Sequence, residues 1–404
     1  KEAMDQFAKG INTMVPHAVW YDPATIVFQP DLSPGAPKYG PELPAYNHYI
    51  ARLQRMLQGG RHVADIGVLY PIATLQAGSW FGPGNPYEGC VDVPEADYMQ
   101  VGEALSLGVR RDFTFVHPEV LEERCAVDGA AITLNNKVNH ERWRAFIIPG
   151  SRCINIATLR RIKQFYDQGG TVIATTRLPD RAAEFGADAE VRQLVAEIFG
   201  PDVPRQDDAP RVTASSTWAG YDPAKTMDGS TQTRWNAADG NKDAQWLEAD
   251  LGSTQTVAGM LVNEVFDRVR GYRIQTWNGT AWVDQAKGDR IGERKEISFA
   301  SVATTKVRLF MEAVASDSAS IAEWTIRGAD GRNLFEREIT ACHRNAKGGK
   351  AWFLPSPGVA ALKAVLTEAL PDGDVVIGQD LTVSGGNFSY IHKVKDGKSM
   401  YFFA

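Results

Sequence analysis

The strongest periodicity in the chain lies in residues 211–328. In 272–277 (YRIQTW) and 306–311 (KVRLFM), apolar and polar side chains alternate. Successive residues of a pleated strand face opposite sides, so this period predicts strands half buried in an antiparallel sheet. Turn signals at Asp228-Gly229, Leu251-Gly252-Ser253 and Asn278-Gly279 divide the stretch into short strands. Short, evenly spaced, alternating strands predict a β-sandwich, with boundaries at 208–330.

On either side the pattern changes. Apolar runs at 62–70 (HVADIGVLY), 145–150 (AFIIPG) and 171–175 (TVIAT) are continuous rather than alternating, and 113–116 (FTFV) is a further short strand. Helical spacing separates them at 97–108, 156–168 and 190–199. Buried-type strands alternating with helices predict a doubly wound parallel sheet. The same pattern resumes at 350–354 (KAWFL) and 359–370. The α/β domain is therefore expected at 61–205 and 331–372, with the sandwich inserted into it.

Residues 1–60 read as a short helix closed by Gly10, an apolar run at 11–21, a Pro- and Gly-rich loop, and a helix over 45–59. That helix carries Tyr46, Tyr49, Ile50, Leu53, Met56 and Leu57 on one face. The order fits the C-terminal end of a (β/α)8 barrel. At the other end, 388–394 and 399–404 flank Asp396-Gly397, a hairpin signal. Residues 373–404 are expected to begin a further β-sandwich.

Composition narrows the function. A net charge of -6 argues against a general nucleic-acid binder, because phosphate contacts need basic surface. No apolar run is long enough for a membrane-spanning helix. The four cysteines have no CxxC spacing, so neither a zinc site nor a dense disulfide framework is written in the sequence. Cys153 follows a strand and precedes a helix, where a nucleophile elbow could sit. Its context, Pro149-Gly150-Ser151-Arg152-Cys153, lacks the flanking glycines of such an elbow, and no His-x-Glu pair follows in the domain. A structural role is the better reading. His17, Trp20 and Tyr21 end the apolar run, where barrel side chains face the catalytic mouth. They are candidates for sugar contact, against plain packing.

Two resemblances sharpen this reading. VTASS (212–216), DGSTQTRW (228–235), WLEADLG (246–252) and IAEW (321–324) resemble a discoidin, or F5/8 type C, domain, a group that includes family 32 carbohydrate-binding modules. The 263–275 phrase (NEVFDRVRGYRIQ) is similar to discoidin domains appended to fucosidases and other glycosidases. The resemblance implies a structural Ca²⁺ held by Asp228, Thr233 and Glu323, with the carbonyls of Lys225 and Ser230; hard oxygen ligands suit that ion. A plain Asp-Gly turn is the alternative. It also implies sugar-binding loops at one end of the sandwich. Trp218 and Tyr221, with Glu264, Phe266, Asp267 and Arg268, are the candidates, and packing between domains is the competing role. Trp235, Trp246 and Trp324 are expected in the core.

Segments at 10–22, 41–72, 111–123, 144–150 and 390–404 resemble family 106 glycoside hydrolases, the α-L-rhamnosidase-like proteins. That resemblance implies an N-terminal catalytic barrel, an α/β domain resembling class I glutamine amidotransferases, and further β-sandwiches. The catalytic carboxylates of such proteins lie on earlier barrel strands, so none is expected in this chain. The expectation is the C-terminal part of a secreted or periplasmic polysaccharide-degrading glycoside hydrolase. Its partners would be carbohydrate and the upstream barrel of the same polypeptide, with no organic cofactor. The alternative is a non-catalytic carbohydrate-binding or adhesion protein centred on the sandwich.

Overall fold

A computed structural model describes residues 2–15, 33–78, 93, 95–135, 140–203, 211–227, 231, 233–335, 339–376 and 388–404. His17, Trp20, Tyr21, Asp228 and Ser230 lie outside the described residues.

Five parallel strands form the α/β unit, in the spatial order Phe113–Val116, Ile66–Leu69, Ala145–Ile148, Thr171–Thr175 and Lys350–Leu354. The short strand His343–Arg344 adds antiparallel to the last of these. Residues of one strand alternate between two cores. Phe146, Ile148, Val172 and Ala174 face Phe165, Tyr166 and Ile198, while Ala145, Ile147 and Ile173 face Val101, Leu105, Leu362 and Leu366. Helices cover both faces, so every residue of Thr171–Thr175 is buried. That explains why these strands read as unbroken apolar runs.

Ala351 sits opposite Val172 and Phe353 opposite Ala174. The strand at 350–354 thus completes a sheet whose other parallel strands all precede residue 176, and the sandwich lies between them in sequence. Arg211 pairs with Asp250 and Gly328 with Val257, so both ends of the sandwich meet one stretch of the strand Gln245–Glu264.

In the sandwich, Gln245–Glu264 and Lys295–Met311 are long strands with register shifts between Asp250 and Gln255 and between Val257 and Gly259. Such irregularities let a strand bend. Strands Ser320–Gly328, Tyr272–Trp277 and Trp282–Gly288 flank them. One core holds Trp235, Trp324, Leu247, Met260, Ile274 and Leu309. Trp246 is a correction: it is half-exposed, with the Arg308 guanidinium 4.8 Å above its ring. The alternation that buries Leu247, Ala249 and Leu251 sends Trp246 and Glu248 to the opposite face.

The helices Glu2–Ala8 and Leu43–Leu57 pack on the hairpin Tyr390–Lys395 and Lys398–Phe403 through Phe7, Leu53, Leu57, Ile391 and Phe402. Residues 1–60 and 373–404 were expected in separate domains; their described parts share this one core. Residues 11–15 are not in a strand, and the rest of that apolar run lies outside the described residues. The hairpin also pairs with Arg61–His62. Lys395 Nζ donates to the Arg55 and Gln58 carbonyls, each at 2.9 Å, closing the C-terminal end of the second helix.

A buried polar cluster sits at this junction. His62 Nε2 is 2.7 Å from Asp112, its Nδ1 is 3.1 Å from the Thr114 hydroxyl and 3.6 Å from Glu141, and the His392 amide donates to Asp112. Burial alone would lower the imidazole pKa, but hydrogen bonds and charge from Asp112 and Glu141 outweigh it and push it up to about 9. Sequence reading did not anticipate the small antiparallel sheet of Cys125–Val127, Ile132–Asn135 and His140–Trp143.

Candidate functional site

Cys153 lies in a two-residue buried strand, with its amide and carbonyl both bonded to the Thr74 hydroxyl, at 3.0 and 2.6 Å. Burial pushes the thiol pKa up, and the charges of Glu184, Asp188 and Asp180 push the same way. A thiol held protonated is a poor nucleophile.

The chemically richer place is one end of the sandwich. The loop after Arg211–Ala214 is tied to the strand Trp235–Asn236: the Trp218 amide donates to Asn236 O at 2.9 Å, and Trp235 Nε1 donates to Ser216 O at 3.0 Å. These bonds hold Trp218 and Tyr221 side by side, with ring centroids 6.2 Å apart. The Asp222 carboxylate accepts the Ala224 amide and caps the short helix Pro223–Thr226.

A second loop follows Gln245–Glu264. Glu264, expected to grip sugar, does not face solvent: it is 4% exposed. Its carboxylate accepts the backbone amides of Arg268, Val269 (2.7 Å) and Gly292 (2.9 Å). A buried carboxylate satisfied by three amides organises the loop rather than a ligand. Asp267 takes a left-handed backbone (φ 49°) and pairs with Arg290, so it too is not among the residues lining the cleft. The turn built on Glu264 instead presents Phe266, which is 45% exposed.

Trp218, Tyr221, Phe266 and Arg268, candidates from the sequence, together line a cleft of about 370 Å³. Four residues that sequence reasoning missed complete it: Arg234, Asn236, Asp239 and Asp317. Arg234 lies over the Tyr221 ring at 4.6 Å and the Phe266 ring at 5.2 Å. Arg268 stacks on Phe266 at 4.1 Å and pairs with Asp317 at 2.8 Å. Asn236 Nδ2 donates to Ala237 O and Ser318 Oγ, so its amide fixes the wall. The TRW run carries Arg234 and was visible; the rings beside it come from other loops and were not. Half-exposed aromatic faces with fixed N–H donors between them suit a ligand with one apolar face and hydroxyls at its rim.

Of the implied metal ligands, Thr233 and Lys225 lie together, with Thr233 Oγ1 3.4 Å from the Lys225 carbonyl. Among the described residues, no cluster of three or more His, Cys, Asp or Glu that could hold a metal occurs. The implied set joins the Glu323 carboxylate to hydroxyl and carbonyl oxygens, with Asp228 and Ser230 outside the described residues. Oxygen donors of this kind are those a hard cation takes.

A family description, F5/8 type C, NedA-like, galactose-binding domain, matches residues 225–309. Among solved structures, chitosan-binding module 2 of a chitosanase/glucanase from Paenibacillus sp. IK-5, in complex with chitotriose, is 30% identical; the match covers 29% of this chain and 95% of that one, with a TM-score of 0.28. Chitosan-binding module 1 of the same enzyme is 31% identical over 29% of this chain and 94% of its own, with a TM-score of 0.27. The family 32 module of C. perfringens NanJ, in complex with galactose, is 19% identical over 30% and 94%, with a TM-score of 0.28. No curated protein matches. Residues 225–309 thus belong to an F5/8 type C domain of the galactose-binding, family 32 carbohydrate-binding-module-like kind, carried within a longer chain.

Proposed function

We propose that the sandwich binds carbohydrate in the cleft between Trp218 and Phe266. One observation carries this reading: two half-exposed rings border a cavity that also holds two positioned guanidiniums. A pyranose has an apolar face for a ring and equatorial hydroxyls for N–H donors, and the galactose-binding family match supports the same ligand class. The test is affinity electrophoresis of the whole chain against galactose-containing and other neutral polysaccharides. Trp218→Ala is expected to weaken retention about ten-fold or more, the loss typical of a central aromatic contact. Retention unchanged by that substitution would remove the cleft from consideration.

The same reading extends to the chain as a whole as the C-terminal part of a secreted or periplasmic glycoside hydrolase, α-L-rhamnosidase-like, with its acid and base on an upstream barrel. Support comes from the motif resemblance at both ends of the chain. Hydrolysis of an aryl α-L-rhamnoside by the intact native protein tests it; inactivity on every aryl glycoside would favour a non-catalytic binding or adhesion protein.

A structural Ca²⁺ held by Thr233, Glu323 and the Lys225 carbonyl, with Asp228 and Ser230, completes the proposal. Bound Ca²⁺ would fix the loop before Trp235, and hence one wall of the cleft. Millimolar Ca²⁺ should raise the melting temperature of the sandwich relative to a chelator, and Glu323→Gln should abolish the difference. An identical melting temperature with and without chelator would argue for a plain turn.

A further inference from the structure

We infer that the cleft selects sugars bearing a carboxylate, that is, uronic acid units, and that Arg234 is the residue that reads the charge. This rests on the carbohydrate reading above and goes beyond it by naming the substrate class.

The two guanidiniums of the cleft are not equivalent. The charge of Arg268 is neutralised by Asp317 at 2.8 Å, and it also donates to the Ser318 carbonyl at 3.2 Å. Arg234 has no ion pair with a carboxylate among the described residues, and its buried Nε has no hydrogen-bond partner among them. Two aromatic rings lie close to it, Tyr221 at 4.6 Å and Phe266 at 5.2 Å.

That arrangement directs its chemistry. A guanidinium over a ring face keeps its N–H donors in its own plane, clear of that face, and Arg234 lines the cleft. It is partly desolvated and held in one orientation, so little entropy is lost when it engages a ligand. The ligand group that matches a planar fork of donors, and also supplies the missing charge, is a planar carboxylate. Trp218, 43% exposed on the same cleft, offers the face on which the sugar ring would lie.

Asp239 also lines the cleft and would favour a cationic amino sugar. It is exposed, on the turn Ala238-Asp239-Gly240. A solvated carboxylate on a turn contributes little to charge recognition, whereas a fixed, desolvated guanidinium contributes much. The geometry therefore favours the anionic ligand.

The experiment compares the whole chain binding polygalacturonate, the same polymer fully methyl-esterified, neutral galactan, and chitosan, by titration calorimetry at low and high salt. Esterification removes the charge and leaves the sugar. The wild type is expected to bind the free acid about ten-fold or more tightly than the ester, the difference typical of a charge-assisted hydrogen-bond pair. Added salt should narrow that gap. Arg234→Gln should bring the ratio close to one by weakening the free acid far more than the ester, and Trp218→Ala should weaken both to a similar degree. Equal or tighter binding of the ester, of galactan or of chitosan would overturn the inference and leave the carbohydrate reading intact. An unchanged acid-to-ester ratio in Arg234→Gln would overturn the assignment to Arg234. Binding of none of the four polymers would overturn the inference together with the reading it rests on.

Discussion

Glu264 shows how far a single side chain can differ from its surface appearance in sequence. It stands in a charged loop phrase, yet three backbone amides close on its buried carboxylate. Glu264→Ala leaves those donors unsatisfied in a place water does not reach. A loss of about 2–4 kcal/mol is expected in urea denaturation, with Phe266 displaced and glycan affinity reduced in parallel. Wild-type stability in that variant would show the loop is held by other contacts. His62 gives a pH prediction. Its folded pKa is raised from 6.5 to about 9, so its stabilisation is present in full below pH 6.5 and is lost as pH rises through 9. Melting temperature should fall between pH 7 and 10, and His62→Gln should flatten that slope; equal slopes would place the effect elsewhere. Trp246 was legible and misread: in QWLEADL the period of two groups it with Glu248 and Asp250, opposite Leu247, Ala249 and Leu251. The role of Arg234 was not legible, because its ring partners at 221 and 266 are brought to it only by the fold.

Elements followed the sequence where one rule sufficed. TVIAT forms the fully buried strand Thr171–Thr175, and the segment at 156–168 forms the helix Ile156–Asp167. The expected helix at 97–108 divides into Tyr98–Glu103 and a π-helical turn, Ala104–Val109, a wide turn that local propensity does not announce. The small sheet at 125–143 carried a signal that was passed over, Asp128-Gly129 between two short runs, where Gly129 adopts φ 57°. The hairpin Tyr390–Lys395 and Lys398–Phe403 was read from its Asp-Gly turn, and the structure places Asp396 and Gly397 in the left-handed region there. Its packing against Glu2–Ala8 and Leu43–Leu57 depends on contacts between the two ends of the chain, which no local pattern encodes. Phe402→Ala removes a ring from that core, 6.5 Å from the Phe7 ring. A loss of about 3 kcal/mol is expected, with faster amide exchange in both helices. Protection unchanged in Glu2–Ala8 would mean that helix is held by something other than the hairpin.

For the whole molecule, the pairing of Lys350–Leu354 with Thr171–Thr175 makes the sandwich an excursion from a sheet that closes without it. Replacing residues 211–328 with a short flexible linker should leave the parallel sheet folded and abolish glycan binding. Loss of the α/β fold in that variant would show that the two parts depend on each other. We place a sugar site on this excursion, between Trp218 and Phe266. The most direct measurement is a titration of the intact chain with a galacturonate oligosaccharide, followed through assigned indole and guanidinium N–H resonances. Saturable shifts are expected at Trp218 and Arg234, with Trp246 and Trp282, which share the Arg308 guanidinium at 4.8 and 4.0 Å, unmoved. Shifts confined to Trp246 and Trp282, or none at all, would contradict that placement.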